Sequence, residues 1–299
     1  MADSSRPSRT GGGSSRPGQG GGAGRGRSSG GGGRPSGGRR TDGRGPQRGG
    51  DDRARGGFRD RAPRREDRTA DQATYDGPPL PEDVTARELD PSVTSQLKGL
   101  PDKLAARVAR HLAAAQRVVD SDPETAYQHT KAARARASRF AVVREANGEA
   151  AYAAGHYDEA LADLRAAKRM NGATAYLPIM ADCHRALGQP QQALKLAQSP
   201  SVRNFAAPAK AEMTLVESGA RRDLGQLDAA LRVLEQAPLN AKNREAWVVR
   251  LRYAYADTLE AAGRREDALE WFHRAHAIDA DELTDAAARA ATLERALER

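Results

Sequence analysis

One phrase limits what this chain can fold into. Ala150–Met170 reads AAYAAGHYDEALADLRAAKRM: a helix runs up to Gly155, the chain turns a short corner, and a second helix starts near Tyr157. Versions of the phrase recur. The corner residues Ser121, Gly155, Gly188, Gly225 and Gly263 lie 34, 33, 37 and 38 residues apart, and an alanine follows each by five: Ala126, Ala160, Ala193, Ala230 and Ala268. A period of about 34 residues with one helix–turn–helix per unit describes a stacked helical array, in which each unit packs only on its neighbours.

The 3.6-residue apolar period places the helices within each unit. Leu104, Val108, Leu112, Ala115 and Val119 form one stripe over 104–119, and Asp122 and Pro123 suit the cap and first position of its partner, 124–137. Further pairs are expected at 140–154 with 157–170, 173–187 with 190–197, 209–224 with 227–236, and 244–262 with 265–278. Asp281 is expected to cap a last, charged helix over 283–298 that solvates the end of the array. Ahead of the array, residues 79–101 read as an extended, proline-set lead-in, with Leu80, Val84 and Leu89 pinned on the first unit, and a short helix over 92–100. The domain reading is thus a tail over 1–78, this lead-in, and a repeat domain over 102–299.

Composition separates the tail from the rest. Residues 1–78 hold 22 of the 30 glycines, 17 arginines, no lysine and nine acidic residues, so 17 − 9 = +8 accounts for the whole net charge of the chain. The tail has almost nothing large and apolar to bury, and ordering each residue costs about 1–2 kcal/mol, so disorder is expected there. Its Arg/Gly texture, with Arg25, Arg27, Arg44, Arg48 and Arg55 between glycines, suits phosphate contact and base stacking by guanidinium groups. The alternative is a solubilising linker, since acidic residues are mixed in from Asp51 onward and aromatics are nearly absent. The remaining 221 residues carry 31 basic and 31 acidic groups (48 − 17 and 40 − 9), which asks for no basic patch on the folded part. A single cysteine, Cys183, excludes an internal disulfide and multi-cysteine metal sites. The first residues lack an apolar signal core, and no run reaches the roughly 20 apolar residues a bilayer needs, so a cytoplasmic protein is expected.

The repeating letters resemble the tetratricopeptide repeat family. The second unit carries the fit best, with Gly148, Gly155, Tyr157, Glu159, Ala160, Leu164 and Ala167. The fifth has Ala256, Gly263, Ala268, Phe272 and Ala275, and the fourth Gly225, Ala230, Leu234 and Ala237. The third puts Pro190 at the aromatic's place, and the first has Ser121 in place of glycine. The resemblance covers about Arg107 to Arg299. It implies an all-α, tetratricopeptide-type helical solenoid of about five units with a C-terminal capping helix. Arginine outnumbers lysine 41 to 7, a bias typical of a GC-rich genome of actinobacterial type.

In such arrays the first helix of each pair lines the concave face where peptides or partner helices dock. That reading assigns partner contact to Glu145, Glu149, Tyr152, Asp182, Arg185, Arg222, Tyr253, Asp257 and Glu260, with His111 on the same face. The alternative for each is an ordinary solvated helix surface. The co-chaperone subset of the family clamps a terminal carboxylate with paired Lys and Asn on successive first helices; these positions have neither, so a chaperone-tail adaptor is not expected. His273 and His276 with Glu270 read as exposed surface rather than a metal site, and the adjacent Cys183 and His184 diverge by about 100° on a helix and cannot pair. No catalytic constellation stands out. The expectation is therefore a protein-binding scaffold, not an enzyme, with no cofactor, metal, small-molecule substrate or membrane. The alternative is an RNA- or ribosome-associated protein working through its tail.

Overall fold

The computed structural model describes residues 75 and 77–298; the tail arginines Arg25, Arg27, Arg44, Arg48 and Arg55 lie outside the described residues. Among the described residues the fold is all α, with twelve α-helices and no strand. A short helix α1 (Pro91–Gln96) leads into α2 (Asp102–Val118) and α3 (Pro123–Ala137). Then follow α4 (Ala141–Ala153), α5 (Tyr157–Asn171), α6 (Leu177–Ala186), α7 (Pro190–Ala197), α8 (Ala207–Asp223), α9 (Leu227–Glu235), α10 (Ala246–Ala261), α11 (Arg265–His276) and α12 (Ala286–Leu297). Each helix packs chiefly on the one before and the one after it, and the first helices of successive pairs also touch.

The corners are built alike. Gly155, Gly188, Gly225 and Gly263 all sit at φ between 70° and 81°, the left-handed conformation that a Cβ disfavours. At each, the next amide closes back five residues: His156 N–H to Ala151 O (2.8 Å), Gln189 to His184 (2.8 Å), Gln226 to Arg221 (2.9 Å) and Arg264 to Leu259 (2.9 Å). This is the Schellman closure, which satisfies carbonyls that a helix end otherwise leaves bare. The first corner, lacking glycine, uses other chemistry. Asp122 N–H bonds Val118 O at 2.7 Å, and the Asp122 carboxylate caps α3 through Thr125 N–H at 3.1 Å, with Pro123 at the first helical position.

The five corner alanines Ala126, Ala160, Ala193, Ala230 and Ala268 are each 0% exposed. They sit where second helices press on first helices, and there is no room there for a longer side chain. Ala193→Leu is expected to overpack the third pair and cost about 2 kcal/mol in urea unfolding, whereas Leu at the exposed Ala186 should cost under about 0.5 kcal/mol.

Two helix starts differ from the sequence reading by three residues or more. The third pair opens at Leu177 rather than 173, because Gly172 ends α5 in the left-handed region (φ 69°), the Asn171 side chain takes the Ala173 amide, and Pro178 fixes the new first turn. The last helix opens at Ala286, and Asp281 does not cap it. Asp279 does the stitching instead: its carboxylate accepts from Leu283 N–H (2.8 Å), Thr284 N–H (2.9 Å) and Thr284 Oγ1 (2.7 Å). Nor does α12 only solvate an end, since Ala286, Ala290 and Leu293 are buried in the same core as Phe272 and Leu259. The lead-in is pinned as expected, with Val84 and Leu89 buried and Leu80 partly so. It is also seated earlier than expected: Tyr75 and Gly77 already lie on α3.

Candidate functional site

From the second pair onward the first helices, with α12 at the end, carry a ladder of hydrogen bonds and ion pairs from each to the next. Tyr152 Oη on α4 donates to Asp182 Oδ2 on α6 at 2.6 Å. Asp182 Oδ1 receives Arg185 Nη1 at 2.9 Å, and Arg185 Nε reaches Asp223 Oδ2 at the end of α8 at 2.8 Å. Beside Asp223, Arg222 crosses to Asp257 Oδ2 on α10. Asp257 Oδ1 takes Arg289 Nη2 from α12 at 2.9 Å, and the same nitrogen meets Glu260 Oε2 at 2.5 Å. Tyr253 Oη donates to Asp285 Oδ1 (2.6 Å) and accepts from Arg289 Nη1 (3.3 Å).

Seven of the nine anticipated face residues thus fall into two bonded sets, Tyr152, Asp182 and Arg185 in one and Arg222, Tyr253, Asp257 and Glu260 in the other, which meet at the neighbouring Arg222 and Asp223 of α8. Asp223, Asp285 and Arg289 were not anticipated, and they supply the links. A signal for them exists in the chain. The partners stand 30 (Tyr152–Asp182), 38 (Arg185–Asp223), 35 (Arg222–Asp257) and 32 (Asp257–Arg289) residues apart. These separations sit close to one repeat, so complementary charge at one-period spacing marks them. Gly219 is a further hidden part. A Cβ there would stand 2.3 Å from the Arg185 guanidinium carbon, so the absence of a side chain on α8 is what lets Arg185 lie flat across it.

Burial works against the Asp257 carboxylate, but the guanidiniums of Arg222 and Arg289 outweigh it and hold its acidity below the ordinary carboxylate range. Burial, with the Asp285 acceptor, pushes the Tyr253 phenol up to about 12, and Tyr152 is raised by burial and by Asp182, so both hydroxyls stay donors at any physiological pH. Because the folded-state acidity of Asp257 lies below its unfolded value of 3.8, its contribution is present above that pH and is lost as the pH falls through the folded value. Asp257→Asn should cost about 1 kcal/mol at pH 7, discounted because the Arg222 and Arg289 side chains stay 33% and 31% exposed, and the gap to the native chain should close in strong acid. Urea titrations at several pH values measure it.

The remaining anticipated residues lie elsewhere. Glu145 accepts from Asn171 Nδ2 at 2.6 Å, an intra-pair contact off the ladder, and Glu149 is half-buried on α4. His111 is not on the face. It is 1% exposed between α2 and α3, because the lead-in covers the side of α2 that a preceding unit would cover. His273 bonds Glu294 at 3.0 Å while Glu270 pairs with Arg274, so the His273, His276 and Glu270 set does not converge. Among the described residues no group of three or more His, Cys, Asp or Glu is placed to hold a metal. Burial pushes the Cys183 thiol up to about 12, and the His184 ring turns away from it: its Nε2 accepts from Arg165 at 2.9 Å and its Nδ1 donates to Gln189 Oε1 at 2.8 Å.

No protein-family model matches this chain, and no curated protein shows significant similarity to it. Among the described residues no helix is long and apolar enough to cross a membrane.

Proposed function

We propose that this chain is a tetratricopeptide-type scaffold that binds a protein partner along the ladder face of its first helices. The single observation that carries the reading is the ladder itself: side chains of α4, α6, α8, α10 and α12 bonded from each of these helices to the next. Their mutual bonds hold the side chains in fixed rotamers, which lowers the entropy a partner must overcome on docking. The face alternates in sign, so it suits an extended or helical segment with both charges rather than a single terminal carboxylate. No nucleophile–base pair contributes to it, and we read the protein as a non-enzyme of the cytoplasm needing no cofactor.

A second reading rests on the tail's 17 arginines against nine acids, which would give salt-sensitive affinity for RNA. One experiment separates the two. The full chain and a chain beginning at Asp71 are used to capture partners from the source lysate, each with and without nuclease, alongside a full chain carrying Arg185→Glu and Arg222→Glu. The scaffold reading expects the same proteins with both native-face chains, no effect of nuclease, and loss in the charge-reversed one. Capture that needs the tail or intact RNA, and ignores the face, overturns it.

A further inference from the structure

A second surface lies on the other side of α10 from the ladder. Two residues, about 200° of helical rotation, separate Tyr255 from both Tyr253 and Asp257, so Tyr255 faces away from the bonded set. There an open cleft of about 440 Å³ lies between the end of α9, the turn that follows it, α10 and α11. That volume is in the range of ligand and peptide sites.

The walls of the cleft are fixed. Tyr255 and Trp271 supply the aromatic one, their rings at 85° with centroids 5.0 Å apart. Arg274 lies over the Trp271 ring, 4.5 Å from its centre, and Glu270 holds it there. Another wall is the turn itself, with the exposed ring of Pro238 and the buried Leu239. Arg252 of α10 pins that turn by its backbone: Nε donates to Leu239 O at 2.8 Å and Nη2 to Ala241 O at 3.1 Å, while Nη1 reaches Arg274 O on α11 at 2.9 Å. The site is therefore shaped before anything docks, which lowers the ordering cost of binding.

The polar groups define what fits. Trp271 is half-buried, and its indole N–H has no acceptor among the described residues and is not sealed from solvent, so it can donate to an incoming carbonyl. Glu235 Oε1 accepts from the Tyr255 hydroxyl at 3.1 Å, but Glu235 forms no ion pair among the described residues. Arg264 is near enough to feel its charge and is bonded to Asp267 instead. Because Arg252 already occupies the Leu239 and Ala241 carbonyls, these two offer an added strand nothing to pair with.

We propose that this cleft docks an extended, proline-containing segment of a partner protein that carries an arginine or lysine beside the proline. A proline ring packs on aromatic side chains with no rotamer freedom to lose. In the polyproline II conformation its neighbouring carbonyls have no internal hydrogen bond, so one is free for the Trp271 N–H. The flanking cation meets Glu235, and an acidic segment is rejected by the same carboxylate. The site does not rest on the ladder face, so the failure of either leaves the other standing.

The chain has two tryptophans, which makes the test direct. Trp247 is 9% exposed and already gives its indole N–H to Glu245 at 2.7 Å, so it is the internal reference. The probe is a synthetic peptide, acetyl-Gly-Pro-Pro-Ala-Pro-Arg-Gly-amide, added to the isotope-labelled full chain while both indole N–H signals are followed by NMR. At about 1 mM peptide the Trp271 signal should move and the Trp247 signal should stay. Replacing the peptide's arginine by glutamate, or introducing Glu235→Lys in the protein, should raise the midpoint about threefold or more. Replacing the peptide's prolines by alanine should abolish the shift. A Trp271 signal that does not move, both indoles moving together, a response that survives loss of the prolines, or a midpoint indifferent to the charge changes overturns the proposal. The peptide series uses the native chain, so it decides the matter even if Glu235→Lys is unstable.

Discussion

Asp163→Ala should lower the unfolding free energy by about 3 kcal/mol, one of the two largest single-site losses expected in this chain. The Asp163 side chain on α5 is fully buried and is held from three directions. Arg144 Nη1 meets Oδ1 at 2.5 Å, Arg134 Nη1 meets Oδ2 at 3.1 Å, and Asn147 Nδ2 donates to Oδ2 at 2.6 Å. Asn147 is itself buried and receives Thr130 Oγ1 at 3.2 Å. One carboxylate therefore joins α3, α4 and α5. Truncating it strands two guanidiniums and an amide. The arginines keep partial access to water, which is why the expected loss sits at the low end for a broken buried pair. Asp163→Asn should recover little, because its new N–H₂ group turns donors against donors. Urea midpoints at constant m-value give the number, and a loss below about 1 kcal/mol would contradict the assignment.

The second large effect is expected at the other end. Phe272 on α11 is wholly buried, edge-on to Tyr253 (centroids 5.6 Å apart, 66°), with the Arg289 guanidinium 4.8 Å from its ring centre. Phe272→Ala should cost about 3–5 kcal/mol through lost transfer energy and the cavity left behind. Its location gives the loss a form. In an array where each helix packs on its neighbours, the end loosens before the middle. Unfolding should then show an early phase confined to α11 and α12, seen as lost amide protection there while α4 and α5 keep theirs. A uniform loss over all helices would mean that the array unfolds as one cooperative block.

The parts of this fold that local chemistry determines could be read from the chain. A glycine past a helix end and an alanine at a tight crossing are each required by backbone or side-chain geometry within a few residues, so the corners and their buried alanines stand where the sequence places them. Asp122 and Pro123 opened α3 for the same reason. What could not be read depends on distant chain. His111 looks like a surface histidine until Gly77 of the lead-in is laid beside it, and nothing near His111 in the sequence announces that cover. The ladder lies between these cases. Its side chains were visible as a polar face, but their mutual pairing was not, because each bond spans a whole repeat. Arg289 was hidden most thoroughly, in a helix whose charges suggested only solvation. Asp281 failed as a cap because Asp279, two residues earlier, already holds the amides of the turn.

Partner contact along the ladder face is the central claim, and site-specific photo-crosslinking tests it most directly. A photoreactive residue at Ala186, one turn beyond Asp182, or at Ala261, one turn beyond Asp257, extends the ladder face without removing any of its bonds. The same residue at the exposed Arg169 and Arg232 reports the second helices. In source lysate treated with nuclease, the account predicts that one protein crosslinks from both Ala186 and Ala261 and from neither control. Crosslinks that arise only from Arg169 or Arg232, or that disappear with nuclease, would contradict it.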